Sequence, residues 1–316
     1  MKPLITGIHH ITAIAGKPQE NIDFYTGILG LRLVKKTINF DAPGVYHFYF
    51  GDELGRPGTV FTTFPFSGTR KGAKGAGEVT YSAFSIPVGS LGYWIDRLKK
   101  YGIPVSDILT RFGDQLIRFE DHDSIGIELV ANDKDDRAGW SYGQVPIEYS
   151  IKGFYGATLN LGAKDLTEKL LIEQMDYRFI GEENGRFRYG TAGKPGDIVD
   201  IVIDKSGNRG VQSAGTVHHI AFRTENAASQ LQVQEILIRN GYQVTEVKDR
   251  NYFKSIYFRE PGGILFEVAT DEPGFAIDED EARLGELIKL PEWAEPNRAK
   301  LEESLVPVKL NVELYD

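Results

Sequence analysis

The sequence contains no cysteine, no long apolar run and no excess of positive charge. The absence of cysteine excludes disulfides, thiolate metal sites and cysteine nucleophiles. No apolar run approaches the roughly 20 residues of a membrane-spanning helix, and residues 1–16 lack a long apolar core followed by a small-residue cleavage site. The net charge of −9 leaves no basic stripe for nucleic acid. These absences favour a cytoplasmic enzyme, with neither nucleic acid nor membrane as a partner.

The residues that are present give an ordinary globular composition. Hydrophobic residues make up 41% of the 316 residues and charged residues 26%, with both signs interspersed. The chain is about twice as long as a typical domain, so we expect one large domain or two compact halves.

Four segments of the sequence share one order of predicted elements, in which a short strand is followed by an amphipathic helix and two or three further strands. The helix pattern is clear in the second segment, where Trp94, Leu98 and Tyr101 recur on one face. Gly102 follows at a position typical of a left-handed helix cap. The sequence therefore predicts helices that pack one side against strands.

The second and fourth segments agree most closely in spacing. Glu128 follows Tyr81 by 47 residues, and Glu267 follows His219 by 48 residues. Such agreement over a long span indicates duplicated units.

The boundaries of these units follow from their strands and from the polar stretches between them. We expect a first half over residues 1–150 that contains two units, at about 4–65 and 78–132. A second half over residues 151–275 contains the other two units, at about 151–205 and 214–272, and a tail follows over residues 276–316. Residues 66–79 are rich in glycine and lysine and lack the GK[ST] ending of a phosphate-binding loop, which favours a linker. The tail has helical segments and no strand repeat, so we expect it to pack on the outside or to cover a pocket.

Four of the six histidines form two adjacent pairs, His9-His10 and His218-His219. Random placement would give roughly 0.1 such pairs, so composition does not predict them. Both pairs occupy equivalent places in the first and fourth units. An isolated histidine is usually a half-buried side chain satisfied by hydrogen bonds. Recurrence at the same place in two repeats favours a functional site instead.

A carboxylate that completes such a site is offered by Glu267. Leu265, Glu267 and Ala269 alternate with Phe266 and Val268 on a predicted strand. Burying a carboxylate among apolar residues is unfavourable unless it is paired or coordinated. The alternative is an exposed glutamate on an edge strand. Taken with the histidine pairs, the pattern favours coordination.

Two imidazoles and one carboxylate leave up to three positions of an octahedral ion open. Non-haem Fe(II) oxygenases use this arrangement to hold substrate and dioxygen together. Zn²⁺ and Mn²⁺ accept the same ligands, so ligand type does not select the metal. A structural metal site would be closed by a further protein ligand.

Four motifs carry a resemblance to a known family: HHIT at 9–12, VHHIAF at 217–222, DRNYFKSIYFREPGG at 249–263 and FEVA at 266–269. They resemble the vicinal oxygen chelate superfamily and, within it, the hydroquinone-type ring-cleaving dioxygenases of bacteria. The resemblance in repeat architecture covers about residues 4–272. It implies an α+β fold with four βαβββ modules that form two pseudo-symmetric half-barrel-pair domains, followed by a C-terminal helical tail.

The resemblance also implies roles for individual residues. The implied iron ligands are His10, His219 and Glu267. The implied catalytic residues are His218, Tyr257 and Arg250. The residues implied to contact or surround the substrate are His9, Thr12, Arg250 and Tyr257.

The sequence departs from the commoner extradiol dioxygenases, in which the third and fourth units supply the site. Here the third unit has Tyr155 where a histidine is expected, and the second has Tyr81. Pairing the first unit with the fourth is what combines two histidines with a carboxylate. We therefore expect modules one and four to pair around the metal, with the middle modules as a structural counterpart.

The activity implied by this resemblance is O₂-dependent cleavage of a hydroquinone- or catechol-like ring, with Fe(II) as the metal and Mn(II) or Zn(II) as alternatives. Its biological role would be aromatic catabolism or detoxification. Two other functions stay open, since the same fold supports different chemistry. One is a glyoxalase-like isomerase or thiol transferase, and the other is a non-catalytic protein that sequesters an aromatic compound. A homo-oligomer is compatible with each of these three functions.

Overall fold

The computed structural model describes residues 3–191 and 195–315, which form an α+β fold of four βαβββ modules. Modules one and two contain these elements: β1 (Ile8–Ala15), α1 (Pro18–Ile22, continued by a π-helical turn over Asp23–Ile28), β2 (Arg32–Asn39), β3 (Ala42–Gly51), β4 (Val60–Pro65), β5 (Glu78–Ile86), α2 (Leu91–Lys100), β6 (Leu109–Arg111), β7 (Asp114–Glu120) and β8 (Gly126–Ala131).

Modules three and four repeat the same order and are followed by one further helix. Their elements are β9 (Gly153–Leu161), α3 (Asp165–Gln174), β10 (Arg178–Glu183), β11 (Arg186–Gly190), β12 (Ile198–Ile203), β13 (Thr216–Thr224), α4 (Ala227–Arg239), β14 (Lys248–Asp249), β15 (Phe253–Arg259), β16 (Leu265–Pro273) and α5 (Arg298–Ser304). The predicted fold class, four such modules with a C-terminal tail, is confirmed.

The helices begin and end where local chemistry predicts. In α2, Trp94 and Leu98 are fully buried, and Gly102 follows with a φ of +70°. In α4, the Asn226 side chain accepts a hydrogen bond from the Ser229 backbone N–H at 3.0 Å. These two helices thus have a buried face and a defined end that fix their positions against the strands.

The strands form two curled sheets of eight, and each sheet takes strands from both halves of the chain. The first has the order β14-β15-β16-β13-β1-β4-β3-β2, and the second has the order β10-β11-β12-β9-β5-β8-β7-β6. The first strands of two modules pair antiparallel at the centre of each sheet, β1 with β13 and β5 with β9. Modules one and four therefore share one sheet, and modules two and three share the other.

Aromatic rings fill part of the core between the two sheets. Phe61 of β4 lies 6.2 Å from Phe84 of β5, and Phe84 stacks on Phe154 of β9 at 4.9 Å. All three side chains are fully buried. Because this apolar packing occupies one face of the first sheet, its other face is free to carry polar side chains.

The C-terminal tail packs on the first sheet. The buried Lys35 Nζ on β2 contacts Asp278 Oδ1 at 2.5 Å and Glu279 Oε2 at 2.6 Å. Residues 277–290 form short turns instead of a long helix. Within them Gly285 has a φ of +80°, and a side chain at this position would meet the Leu33 carbonyl. Further along the tail, the predicted second helical segment is helix α5. No helix in the described part of the chain is long and apolar enough to cross a membrane.

Candidate metal centre

His10, His219 and Glu267 converge on the concave face of the first sheet. They lie on three neighbouring strands, β1, β13 and β16, and all three are buried. The Nε2 atoms of His10 and His219 lie 3.2 Å apart. Glu267 Oε2 lies 3.4 Å from His10 Nε2 and 2.9 Å from His219 Nε2. Within the described residues this is the group of three whose ligand atoms, all within 4.8 Å of one another, can hold a metal ion.

These separations fit ligands of one divalent ion. With metal–ligand distances of about 2.1 Å, ligand atoms stand about 3.0 Å apart at octahedral angles and about 3.4 Å apart at tetrahedral angles. The three observed distances run from 2.9 to 3.4 Å. In addition, Glu267 Oε2 is buried and makes no hydrogen bond of regular geometry within the described structure. A buried acceptor left in this state is strongly unfavourable unless a cation approaches it.

The hydrogen-bond partners of His10 fix its tautomer. His9 Nε2 lies 3.1 Å from the Thr270 carbonyl oxygen, which can only accept, so this nitrogen carries the proton. In a neutral ring, His9 Nδ1 is then an acceptor, and it lies 2.9 Å from His10 Nδ1. Burial lowers the pKa of His9 well below its usual value, which keeps the ring neutral. His10 therefore donates from Nδ1 and presents the lone pair of Nε2 to the centre.

A second pair repeats this arrangement. His218 Nδ1 lies 2.8 Å from His219 Nδ1. Burial lowers the pKa of His219 from its usual value and that of His218 to about 3, so both rings are neutral near pH 7. With the proton of this contact on His219 Nδ1, as in the first pair, the Nε2 lone pair of His219 would be left for a metal, and His218 would carry its proton on Nε2. Each adjacent histidine thus orients the ligand that follows it.

The carboxylate is held from its other side. Ser255 Oγ on β15 donates a hydrogen bond to Glu267 Oε1. Burial works against ionisation, but positive charge between the three side chains, carried by protonated His10 and His219 rings or by a metal ion in their place, holds the pKa of Glu267 well below its usual range. Glu267 is therefore an anion whose Oε2 is directed between two imidazole nitrogens.

The trio opens onto a cavity of about 320 Å³. Its walls are largely aromatic and aliphatic, with contributions from Ile14, Phe40, Phe64, Phe66 and Phe253. A single aromatic ring fits a cavity of this size and character. The open positions of a metal ion at the trio would face this space.

Arg250 and Tyr257 form one polar side of the cavity. Arg250 Nε donates to the Tyr257 hydroxyl at 3.1 Å, and the guanidinium also lies 3.4 Å from Asp41 at the cavity rim. Burial raises the pKa of Tyr257, so its hydroxyl stays protonated. The pair offers positive charge and a hydroxyl donor to a ligand oxygen. His218 borders the same cavity.

Two of the residues assigned to the substrate lie behind the ligands instead of at the cavity wall. His9 is 3% exposed and packs edge-on against Phe253, with its nitrogens bonded as described above. Thr12 is fully buried and shares a hydrogen bond with Thr62 Oγ1 at 2.7 Å. Both side chains therefore act on the site through a neighbour.

The cavity is also lined by two residues that lie outside the four sequence motifs. His47 and Tyr49 on β3 both border it, and the Tyr49 hydroxyl lies 2.8 Å from His47 Nδ1. Their alternation in the sequence YHFYF places both on one face of a strand, which is a local pattern that sequence reasoning could have used. What it could not indicate is that β3 borders the same cavity as β1 and β13.

The equivalent place in the second sheet is filled by ion pairs. Glu128 Oε1 contacts Arg118 Nε at 2.7 Å, and Oε2 contacts the Arg111 guanidinium at 2.7 Å. The Arg118 guanidinium also lies 4.9 Å from the Tyr81 ring centre. Arginine side chains thus neutralise the carboxylate that in the first sheet faces two imidazoles.

Comparison with known proteins gives relatives over nearly the whole chain. The model of the glyoxalase/bleomycin resistance protein/dioxygenase superfamily matches residues 7–129 and 150–268. MhqO of Bacillus subtilis, provisionally described as a ring-cleaving dioxygenase, is 47% identical over 304 residues, which are 96% of this chain and 97% of that protein. The chlorohydroquinone/hydroquinone 1,2-dioxygenase of Sphingobium indicum is 35% identical over 295 residues, 90% of this chain and 91% of that protein.

Solved structures give the same fold. A crystal structure from Bacillus subtilis, provisionally described as a dioxygenase, has a TM-score of 0.94 at 46% identity and covers 98% of this chain and 99% of that chain. Glyoxalase I from Zea mays has a TM-score of 0.61 at 13% identity, with 84% of this chain and 92% of that chain covered. At that identity the second likeness shows the fold alone.

Proposed function

The chain belongs to the glyoxalase/bleomycin resistance protein/dioxygenase superfamily, and we propose that it is a ring-cleaving dioxygenase with Fe(II) held by His10, His219 and Glu267. Its proposed substrates are dioxygen and a hydroquinone- or catechol-like aromatic. The observation that carries the proposal is the open trio, two imidazoles and one carboxylate that face an aromatic-walled cavity with no further protein ligand among the described residues.

The metal would supply Lewis acidity toward a phenolic oxygen and one-electron chemistry toward dioxygen. The protein holds its donors ready for such an ion. His9 and His218 keep the proton of each ligand histidine on Nδ1, and Ser255 orients the carboxylate. Mn(II) and Zn(II) accept the same donors, so the identity of the metal is part of the proposal.

The polar side of the cavity would bind the oxygen atoms of the ring substrate. The Arg250 guanidinium stabilises negative charge on a phenolic oxygen, and Tyr257 offers its hydroxyl proton, since Arg250 already donates to the oxygen of that group. His218 keeps Nε2–H for a ligand in the cavity that it borders, and it is suited to pass a proton. The aromatic walls exclude water from the ring.

The proposal is tested with protein purified and loaded with Fe(II) under nitrogen, then mixed with oxygenated hydroquinone or catechol in an oxygen electrode. We expect oxygen uptake matched by loss of the aromatic absorbance. The His10→Ala variant is expected to lose both bound iron and oxygen uptake. His122→Ala is the matched control, because His122 is exposed and lies outside the cavity.

Several outcomes would contradict the proposal. Normal turnover in His10→Ala would exclude this metal centre. Isomerisation of methylglyoxal without oxygen uptake would favour the glyoxalase-like activity. Tight binding of hydroquinone by protein that takes up no transition metal would favour sequestration.

A further inference from the structure

A chain of four hydrogen-bonded side chains ends at the cavity wall. The Tyr49 hydroxyl lies 2.8 Å from His47 Nδ1, and His47 Nε2 lies 2.9 Å from Thr62 Oγ1. Thr62 Oγ1 lies 2.7 Å from Thr12 Oγ1. Tyr49 and His47 border the cavity, whereas Thr62 and Thr12 are fully buried behind it.

The chain crosses neighbouring strands and reaches the strand of a metal ligand. Tyr49 on β3 is opposite Thr62 on β4 in the antiparallel ladder, and Thr62 is opposite Thr12 on β1 in the parallel one. Thr12 is in turn opposite His219 on β13. The same sheet therefore sets the position of the chain and that of the candidate metal centre.

Each member of the chain can both donate and accept a hydrogen bond, so the chain has two complete arrangements. In one, Tyr49 donates to His47, His47 donates to Thr62, and Thr62 donates to Thr12. The Tyr49 oxygen is then left as an acceptor. In the other, every bond is reversed, and the Tyr49 hydroxyl proton is left free to be donated.

The two aromatic members are neutral, as both arrangements require. Burial lowers the pKa of His47 well below its usual value, and neighbouring histidines act in the same direction. Burial raises the pKa of Tyr49 well above its usual value. The two arrangements differ in the rotation of three hydroxyls and in the tautomer of His47, and neither contains a buried charge, which would be strongly unfavourable.

We propose that Tyr49 binds a phenolic oxygen of the aromatic ligand, and that His47, Thr62 and Thr12 position its hydroxyl and set whether it accepts or donates. A ligand hydroxyl would be bound with Tyr49 as acceptor, and a phenolate oxygen with Tyr49 as donor. The chain thus allows Tyr49 to bind either the hydroxyl form or the phenolate form of the ligand. The proposal rests on the proposed function in that the ligand is a hydroxylated aromatic ring.

The test compares two ligands in metal-loaded protein under nitrogen, where no turnover occurs. The affinity of hydroquinone is measured by calorimetry, and that of toluene, an apolar ring of similar size, by ligand-observed NMR. Tyr49→Phe removes the terminal hydroxyl. Tyr46→Phe is its matched control, because Tyr46 lies on the same strand but does not border the cavity. Metal content is determined for every variant.

We expect Tyr49→Phe to weaken hydroquinone binding about 3- to 10-fold, the loss of one hydrogen bond, with toluene binding unchanged. Thr62→Val is isosteric and breaks the chain behind His47, so hydroquinone affinity should fall in the same direction. Thr62→Ser keeps the hydroxyl and should restore it. A purely structural role of Thr62 would not make the loss depend on the ligand's hydroxyls.

Two results would overturn the proposal: unchanged hydroquinone affinity in Tyr49→Phe, or an equal loss for toluene and hydroquinone. Failure of the proposed function would be seen differently. Absence of oxygen uptake by the wild-type protein would contradict the dioxygenase activity but leave the ratio of the two affinities intact.

Discussion

Replacing Glu267 by glutamine should have opposite effects on the metal-free and the metal-loaded protein. Glutamine keeps an oxygen to accept from Ser255, and it places an amide N–H₂ where Oε2 lies 2.9 and 3.4 Å from the His219 and His10 nitrogens. Those nitrogens carry lone pairs, so the amide can donate to them. A buried acceptor without regular partners is thereby converted into a donor with two acceptors.

The expected magnitudes follow from the site. Relief of one unsatisfied buried acceptor is worth about 1 to 2 kcal/mol, so metal-free Glu267→Gln should be as stable as the wild type or more so. Metal at 100 times its Kd stabilises the wild type by about 2.7 kcal/mol. With an unfolding entropy of about 2.1 cal/mol/K per residue, a chain of 316 residues gains about 4 °C in Tm from that binding. The variant should lose this gain.

The assay is thermal unfolding under nitrogen with and without Fe(II) or Mn(II), combined with metal analysis. Glu128→Gln is the matched control from the second sheet. Since Glu128 pairs with Arg118 and Arg111, its replacement should cost about 3 kcal/mol without metal and leave the metal-dependent gain intact. The reasoning is refuted if Glu267→Gln keeps the full gain, or if it lowers the metal-free Tm by several degrees.

Three further predictions concern the surroundings of the centre. Arg250→Met removes the cation beside Tyr257 and should lower kcat for oxygen uptake about 10²-fold while metal content stays unchanged; equal kcat would contradict the role of Arg250. The folded-state pKa of His218, about 3, lies below the unfolded value of 6.5, so its contribution to stability is complete above pH 6.5 and is lost as pH falls toward 3. Urea unfolding of the metal-free protein should show a decline of about 1.4 kcal/mol per pH unit from this group below pH 6.5 that His218→Gln lacks. Lys35→Met leaves the buried Glu279 carboxylate without its cation, and should lower the unfolding free energy by about 3 to 5 kcal/mol in the same urea assay. A urea midpoint equal to that of the wild type would show that the tail is held by other contacts.

The sequence by itself determined the modular architecture and which residue types could meet a metal. Strand and helix periodicity is a local property, so four repeats of a strand, a helix and two or three further strands could be predicted from spacing, and the family resemblance implied that each is a βαβββ module. The recurrence of histidine pairs in two units, with Glu267 in register, singled out three side chains whose ligand atoms lie within 4.8 Å of one another in the structure. The helix end at Gly102 was likewise local, since it depends on one backbone conformation.

Other features depend on contacts between strands that are distant in sequence. His9 and Thr12 share a segment with His10, yet one bonds to the Thr270 carbonyl and the other to Thr62. Sequence spacing gives neither partner, because each lies on a different strand of the sheet. The roles of these two residues are therefore set by neighbours in space.

The tertiary structure also decided which side chains face the central carboxylate of each sheet and which residues line the cavity. Glu128 and Glu267 have almost the same place in their repeats, but Glu128 meets two arginines and Glu267 meets two imidazoles. Likewise, His47 and Tyr49 became part of the site only when β3 was placed beside β4 and β1. The physical reason is that local periodicity specifies which face of a strand a side chain occupies, whereas pairing between distant strands specifies what that face meets.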